Sequence, residues 1–225
     1  MKPRICFAKS LVVAALYGVL FVCAPQIAIS QAVQTQRPTS TPYTGDLSIF
    51  EKPGRDERLQ IQRVMDLLGI KAGSSVADIG AGSGWFSVRA AARVGASGMV
   101  YAEDINPHAV KYIQDRSHKE KLSNVKTVLG SLDDPKLPSD SIDAVLLLKV
   151  YHEVAHPLVL MRNLKPSLRS GAKVGIIDRN GNGTDHGLNS DVVKREMAEA
   201  GFKLLSSHDF TKADGQDYFL IFETR

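Results

Sequence analysis

From Arg55 onward, apolar positions recur in two alternating rhythms. Ile61, Val64, Met65 and Leu68 fall at helical spacing, and Gly69 closes the run. Residues 75–79 then read as a strand, followed by a glycine loop and a helix over 85–94 with Val88, Ala91 and Ala92 on one face. The alternation continues with a strand over 98–103 and a helix that Asn106 caps and Pro107 begins. Residues 125–129 form the next strand. Residues 142–148 are a continuous apolar run, the pattern of a strand buried on both faces. Pro157, Leu160, Met161, Leu164 and Leu168 predict an amphipathic helix. A strand over 172–178, a helix over 191–200 and strands over 202–207 and 218–223 complete the chain.

Strands that alternate with helices imply βαβ units and a parallel sheet. The end of the chain breaks this rule. Residues 209–217 contain Asp214-Gly215 and no helical pattern, and so short a connection joins only antiparallel neighbours. The expectation is a mostly parallel sheet whose last strand is inserted antiparallel.

Upstream of Arg55 the pattern is different. Residues 31–54 are rich in Gln, Thr, Ser and Pro and read as a linker or N-terminal arm. Before them, Lys2, Arg4 and Lys9 precede an uncharged apolar run over 11–24, and Ala28, Ser30 and Ala32 follow. A basic start, a short apolar stretch and small residues at its exit describe a signal peptide over residues 1–30. Left uncleaved, the same segment is a membrane anchor. Either form implies export, to a periplasm or the exterior.

Composition takes on meaning against this division. The 225 residues are 44% hydrophobic and 23% charged, ordinary for a globular chain. The net charge of +4 comes largely from the N-terminal segment, which holds three of the 28 basic residues and no acid; the remainder has 25 basic against 24 acidic residues. Cys6 and Cys23 both lie in that segment. The domain over residues 55–225 therefore has no disulfide framework, zinc-thiolate set or cysteine nucleophile, and its near-neutral charge argues against nucleic acid as a partner.

The densest chemistry is Asp78-Ile79-Gly80-Ala81-Gly82-Ser83-Gly84, between a strand and a helix. Glycines there let the backbone turn tightly and approach a ligand at the carboxyl end of a parallel strand. The spacing is G-x-G-x-G, with Trp85 where a dinucleotide fold has its third glycine, which argues against a pyrophosphate cradle. Glu103-Asp104 ends the next strand, and Asp104 is the better placed to accept hydrogen bonds from ribose hydroxyls.

These residues resemble the class I S-adenosylmethionine-dependent methyltransferases, over about residues 50–222. The resemblance implies a three-layer α-β-α Rossmann-like α/β sandwich with a seven-stranded, mostly parallel sheet and an antiparallel last strand. It implies S-adenosylmethionine as cofactor. Gly80, Ala81, Gly82 and Gly84 would hold its methionine part, Asp78 would support the loop and help bind the amino group, and Asp104 would take the ribose. Ser131, Leu132 and Asp133 fall where the family contacts adenine and match its pattern approximately.

The fourth strand ends in Tyr151-His152-Glu153, beside the position of the transferred methyl in such a fold. These three are the candidate catalytic residues, with His152 either a base or part of the pocket wall. Asp178, Arg179 and His186 could line the same pocket. His152, Glu153 and His156 also spell H-E-x-x-H, a zinc-hydrolase pattern. That pattern needs a helix presenting both histidines, whereas here an apolar strand precedes it and Pro157 disfavours helix at His156. No metal ligand set is assigned. The sequence thus points to a methyltransferase for a small-molecule or lipid-like acceptor. A non-catalytic cofactor-binding protein and a zinc hydrolase are the alternatives.

Overall fold

The computed structural model describes Met1 and residues 37–183, 186–211 and 217–225. The signal-peptide or anchor segment lies outside the described residues. Among the described residues, no helix is long and apolar enough to cross a membrane. The chain divides into two units, Met1–Val33 and Gln34–Arg225, and the sheet with its helices makes up the second.

Seven strands form one sheet: β1 (Ser75–Ile79), β2 (Met99–Asp104), β3 (Val125–Leu129), β4 (Ile142–Leu148), β5 (Leu168–Arg179), β6 (Phe202–His208) and β7 (Asp217–Thr224). Their order is β3-β2-β1-β4-β5-β7-β6. β1 to β5 pair in parallel, and β7 inserts antiparallel between β5 and β6. The helices are α1 (Arg55–Leu59), α2 (Ile61–Leu68), α3 (Trp85–Val94), α4 (Pro107–Lys119), α5 (Pro157–Leu164) and α6 (Ser190–Glu199).

Strand alternation sends successive side chains to opposite faces, and each face has its own core. Val76, Ala144, Leu146, Phe219 and Ile221 pack with α2 and α3. Ala77, Val145, Leu147, Val174, Leu220 and Phe222 pack with α5 and α6. The edge strands β3 and β6 are only partly buried, as strands with one covered face must be. The antiparallel insertion and the seven-stranded sheet agree with the sequence.

One local reading needs correction. The helix expected to run through Leu168 ends at Leu164, and a single 3-10 turn at Lys165–Ser167 leads into β5 at Leu168. Leu168 keeps the helical spacing from Leu164, but Pro166 has no N–H to continue the ladder. Residues 37–54, the described part of the segment read as a linker or N-terminal arm, belong to the same compact unit as the domain. Polar contacts dock them: Arg37 donates to the Tyr151 carbonyl and to Glu196, and Asn106 donates to the Tyr43 carbonyl.

Leu146 is fully buried in the central strand β4. Leu146→Ala should destabilise the chain by about 2–5 kcal/mol, read from the urea midpoint.

Candidate functional site

The glycine loop turns between β1 and α3, with Gly80, Gly82 and Gly84 at φ of 69°, 56° and 73°. At Gly80 a side chain is excluded twice over, by this left-handed backbone and by the Val150 side chain, which a Cβ would strike. The loop is therefore pressed against the residues that follow β4.

The end of β2 pins the loop from the other side. Ala81 N–H donates to the Glu103 carbonyl at 2.9 Å, and Gly82 N–H donates to the Asp104 carboxylate at 2.9 Å. Asp104 also accepts from Asn106 N–H at 2.9 Å. A carboxylate has about four acceptor sites, so these bonds leave capacity for further donors. Asp78 lies behind the loop, buried, and accepts from the Ser87 hydroxyl at 2.6 Å. Trp85 opens α3 between the guanidinium groups of Arg55 and Arg89.

Glu103 is an acid whose importance sequence spacing does not reveal. Its carboxylate is buried beneath the loop and fills the space where a side chain at Gly130 would sit. Burial pushes Glu103 up to about 8, helped by the neighbouring Asp104. Burial likewise raises Asp78 to about 7, against the hydrogen bond from Ser87. Asp104 is raised by burial too, partly offset by its backbone donors. Three acids thus surround one loop, an environment that favours a ligand with positive charge and hydroxyl donors.

The N-terminal arm covers this region. Glu51 accepts from the Ser83 hydroxyl at 2.6 Å and pairs with Arg116 of α4. Phe50 lies over Gly82. No periodicity marks these residues as part of a site, because ion pairs dock them.

Ser131, Leu132 and Asp133 form a turn after β3. Leu132 is exposed, and the Asp133 carboxylate lies 2.7 Å from His156 Nδ1. At the end of β4, Tyr151–Glu153 make one 3-10 turn. Tyr151, grouped with the catalytic candidates by sequence, is fully buried, and its hydroxyl donates to Glu196 at 3.0 Å. Burial and the Glu196 carboxylate raise it well above the usual tyrosine range, so it stays a donor. Its role here is to hold α6 and the arm together.

His152 and Glu153 follow in the same turn, with side chains 10% and 27% exposed. The buried Asp178 carboxylate, at the end of β5, accepts His152 N–H at 3.0 Å and lies 2.8 Å from His152 Nδ1. Asp178 also accepts from Arg179 N–H. Burial opposes the charge on Glu153, but the Ser40 N–H and hydroxyl and the His186 ring outweigh it, holding Glu153 below the usual carboxylate range. The H-E-x-x-H reading does not survive this geometry. His152 turns to Asp178 and His156 to Asp133, and α5 starts only at Pro157.

The site is not marked by the cavity of about 590 Å³ lined by Gln114, His118, Lys121 and Thr127. That cavity lies by the amino end of β3, opposite the strand ends that carry the glycine loop and His152.

The buried acids make stability depend on pH. Between the usual carboxylate range and pH about 7–8, the folded chain keeps protons on Asp78 and Glu103 that the unfolded chain releases. Stability therefore falls as pH rises through that window and levels off above it. The melting temperature should drop from about pH 5 to about pH 8. Glu103→Gln should flatten that fall and raise Tm at the upper end, by roughly 2–4 °C for each kcal/mol gained, as scanning calorimetry reads directly.

Residues 77–176 match the family described as "Methyltransferase domain". The ubiquinone/menaquinone biosynthesis C-methyltransferase UbiE of Marinomonas sp. (strain MWYL1) is 25% identical over 126 residues, 56% of this chain and 50% of that protein. The chain spans about half the length of the curated relatives it matches. Among solved structures, a SAM dependent methyltransferase from Aquifex aeolicus superposes with a TM-score of 0.72 at 24% identity, covering 78% of this chain and 95% of that one. Geranyl diphosphate C-methyltransferase from Streptomyces coelicolor A3(2), solved with Mg2+, geranyl diphosphate and S-adenosyl-L-homocysteine, gives 0.64 at 14% identity, covering 85% and 91%. Residues 77–176 thus resemble a methyltransferase domain, and the sheet and its helices have the Rossmann-like fold of the structures that superpose on them.

Proposed function

We propose that this chain is an S-adenosylmethionine-dependent methyltransferase acting on a small-molecule or lipid-like acceptor. The observation that carries the reading is the glycine loop pinned to Asp104, within a domain that matches the methyltransferase family. The donor set suits the cofactor. Asp104 keeps acceptor capacity for ribose hydroxyls. Asp78 and Glu103 by themselves keep their protons, and an ammonium or sulfonium placed near them would favour their ionised forms. Gly80, Ala81, Gly82 and Gly84 offer a cradle of bare backbone. Ser131, Leu132 and Asp133 border the site at β3.

The cofactor supplies an activated methyl group on a sulfonium. The protein's part is alignment and exclusion of water. Phe50 and Glu51 lie over the loop and shield it. His152, oriented by Asp178, presents Nε2 toward Glu153 at the strand end where an acceptor would lie. Tyr151 acts as a positioning residue through Glu196. Residues 1–30 are proposed as an export signal, which the mass of the mature N-terminus tests.

Titration of the chain with S-adenosylmethionine or S-adenosylhomocysteine should give saturable binding. No saturation at about 1 mM overturns the reading. Asp104→Ala should weaken binding roughly 10- to 100-fold, the size of one or two charge-assisted hydrogen bonds, and unchanged affinity removes Asp104 from the site.

A further inference from the structure

Beyond the cofactor site, His152, Glu153 and His186 bring together three metal-ligating groups from two different loops. One ligand atom from each lies within 4.8 Å of the other two. His152 Nε2 is 3.5 Å from Glu153 Oε1, and His186 Nδ1 is 3.2 Å from the same oxygen. Ligands about 2.0–2.1 Å from a tetrahedral zinc lie roughly 3.3–3.4 Å from each other. The two spacings to Glu153 match one shared cation, and the two imidazoles lie within 4.8 Å of each other.

The surroundings point the same way. Asp178 is fully buried and accepts two backbone N–H groups, so it acts as an acceptor toward His152 Nδ1. Nδ1 therefore carries a proton, and in the neutral imidazole Nε2 carries a lone pair. That lone pair faces the Glu153 carboxylate, which Ser40 N–H and its hydroxyl hold in place at 2.6 and 2.8 Å. Two acceptors aimed at each other need a positive group between them. A buried carboxylate behind a histidine is also how metal-ligating imidazoles are oriented. His186 completes the set from the loop after β5, with its side chain 75% exposed, so the site is open to solvent.

We propose that His152, Glu153 and His186 bind a first-row divalent transition cation at the carboxyl ends of β4 and β5. Two imidazoles with one carboxylate suit zinc, cobalt, iron(II) or manganese better than magnesium or calcium, which prefer all-oxygen shells. Three protein ligands leave coordination positions free. If the methyltransferase reading holds, those positions would take an acceptor through an oxygen, which the cation would polarise. This set is not the H-E-x-x-H pair, since His156 takes no part.

The test uses the full chain, free of affinity tag and stripped of cations, titrated with cobalt(II) by calorimetry and visible absorption. One equivalent should bind and be displaced by zinc(II). His186→Ala should abolish that binding while leaving the melting temperature of the cation-free protein unchanged. Asp178→Asn should weaken it roughly 10–100-fold, as loss of an orienting carboxylate does. His156→Ala should leave it intact. Absence of saturable cobalt or zinc binding overturns the proposal and leaves a proton between His152 and Glu153. Binding that survives His186→Ala also overturns it. S-adenosylhomocysteine is titrated into the same cation-free protein. Wild-type chain that binds this ligand but takes up no cation defeats the cation site alone.

Discussion

The reversal of strand order beside β1 is the constraint on which the rest of the molecule depends. The chain first moves outward from β1 through β2 to β3, then returns to β4 on the other side of β1. The helix that follows β1 therefore packs on one face of the sheet and the helix that follows β4 on the other. Their connections part above the sheet and open a crevice at the carboxyl ends of the strands. Each group of the candidate site comes from that edge: the glycine loop from β1, Glu103 and Asp104 from β2, Ser131–Asp133 from the turn after β3, His152 and Glu153 after β4, and Asp178 from β5. The contact of Val150 with Gly80 closes the crevice at its base.

Electrostatics divides this edge in two. Around the loop, Asp78 and Glu103 are buried and Asp104 is half-buried, and each resists ionisation because solvent is excluded. Such a cluster is unfavourable by itself and becomes favourable when a cation lies among the acids. Around His152 the arrangement differs. A single buried acid, Asp178, orients an imidazole whose other nitrogen faces Glu153. The first group suits a charged cofactor, the second a lone-pair donor for an acceptor or a metal. The arm over residues 37–54 spans both, touching the loop through Phe50 and Glu51 and the histidine side through Ser40.

Much of this was legible from residue spacing. Strand and helix periods are local, so β1, α3, β3 and β4 could be delimited by counting. The antiparallel insertion of β7 followed from a connection too short to cross the sheet. Where a local signal was ambiguous, the reading failed. Leu168 kept helical spacing past a proline and was assigned to the wrong element. The docking of the arm has no periodic signature, because it uses Arg37, Ser40 and Glu51, polar residues with no period.

The sequence by itself determined the order of elements, the glycine loop and the acid at the end of β2, because each depends on neighbours within a few residues. Tertiary structure alone decided which distant groups share a site. It separated His152 from His156 despite their spacing of four, since a strand end and a proline deny them a common helix face. It brought His186 and Asp178 to His152 instead, because parallel pairing sets the ends of β4 and β5 side by side. It also buried Glu103 beneath a glycine that the chain reaches only after another helix and strand. Contacts of that kind follow from sheet register, and register comes from the packing of the whole sheet.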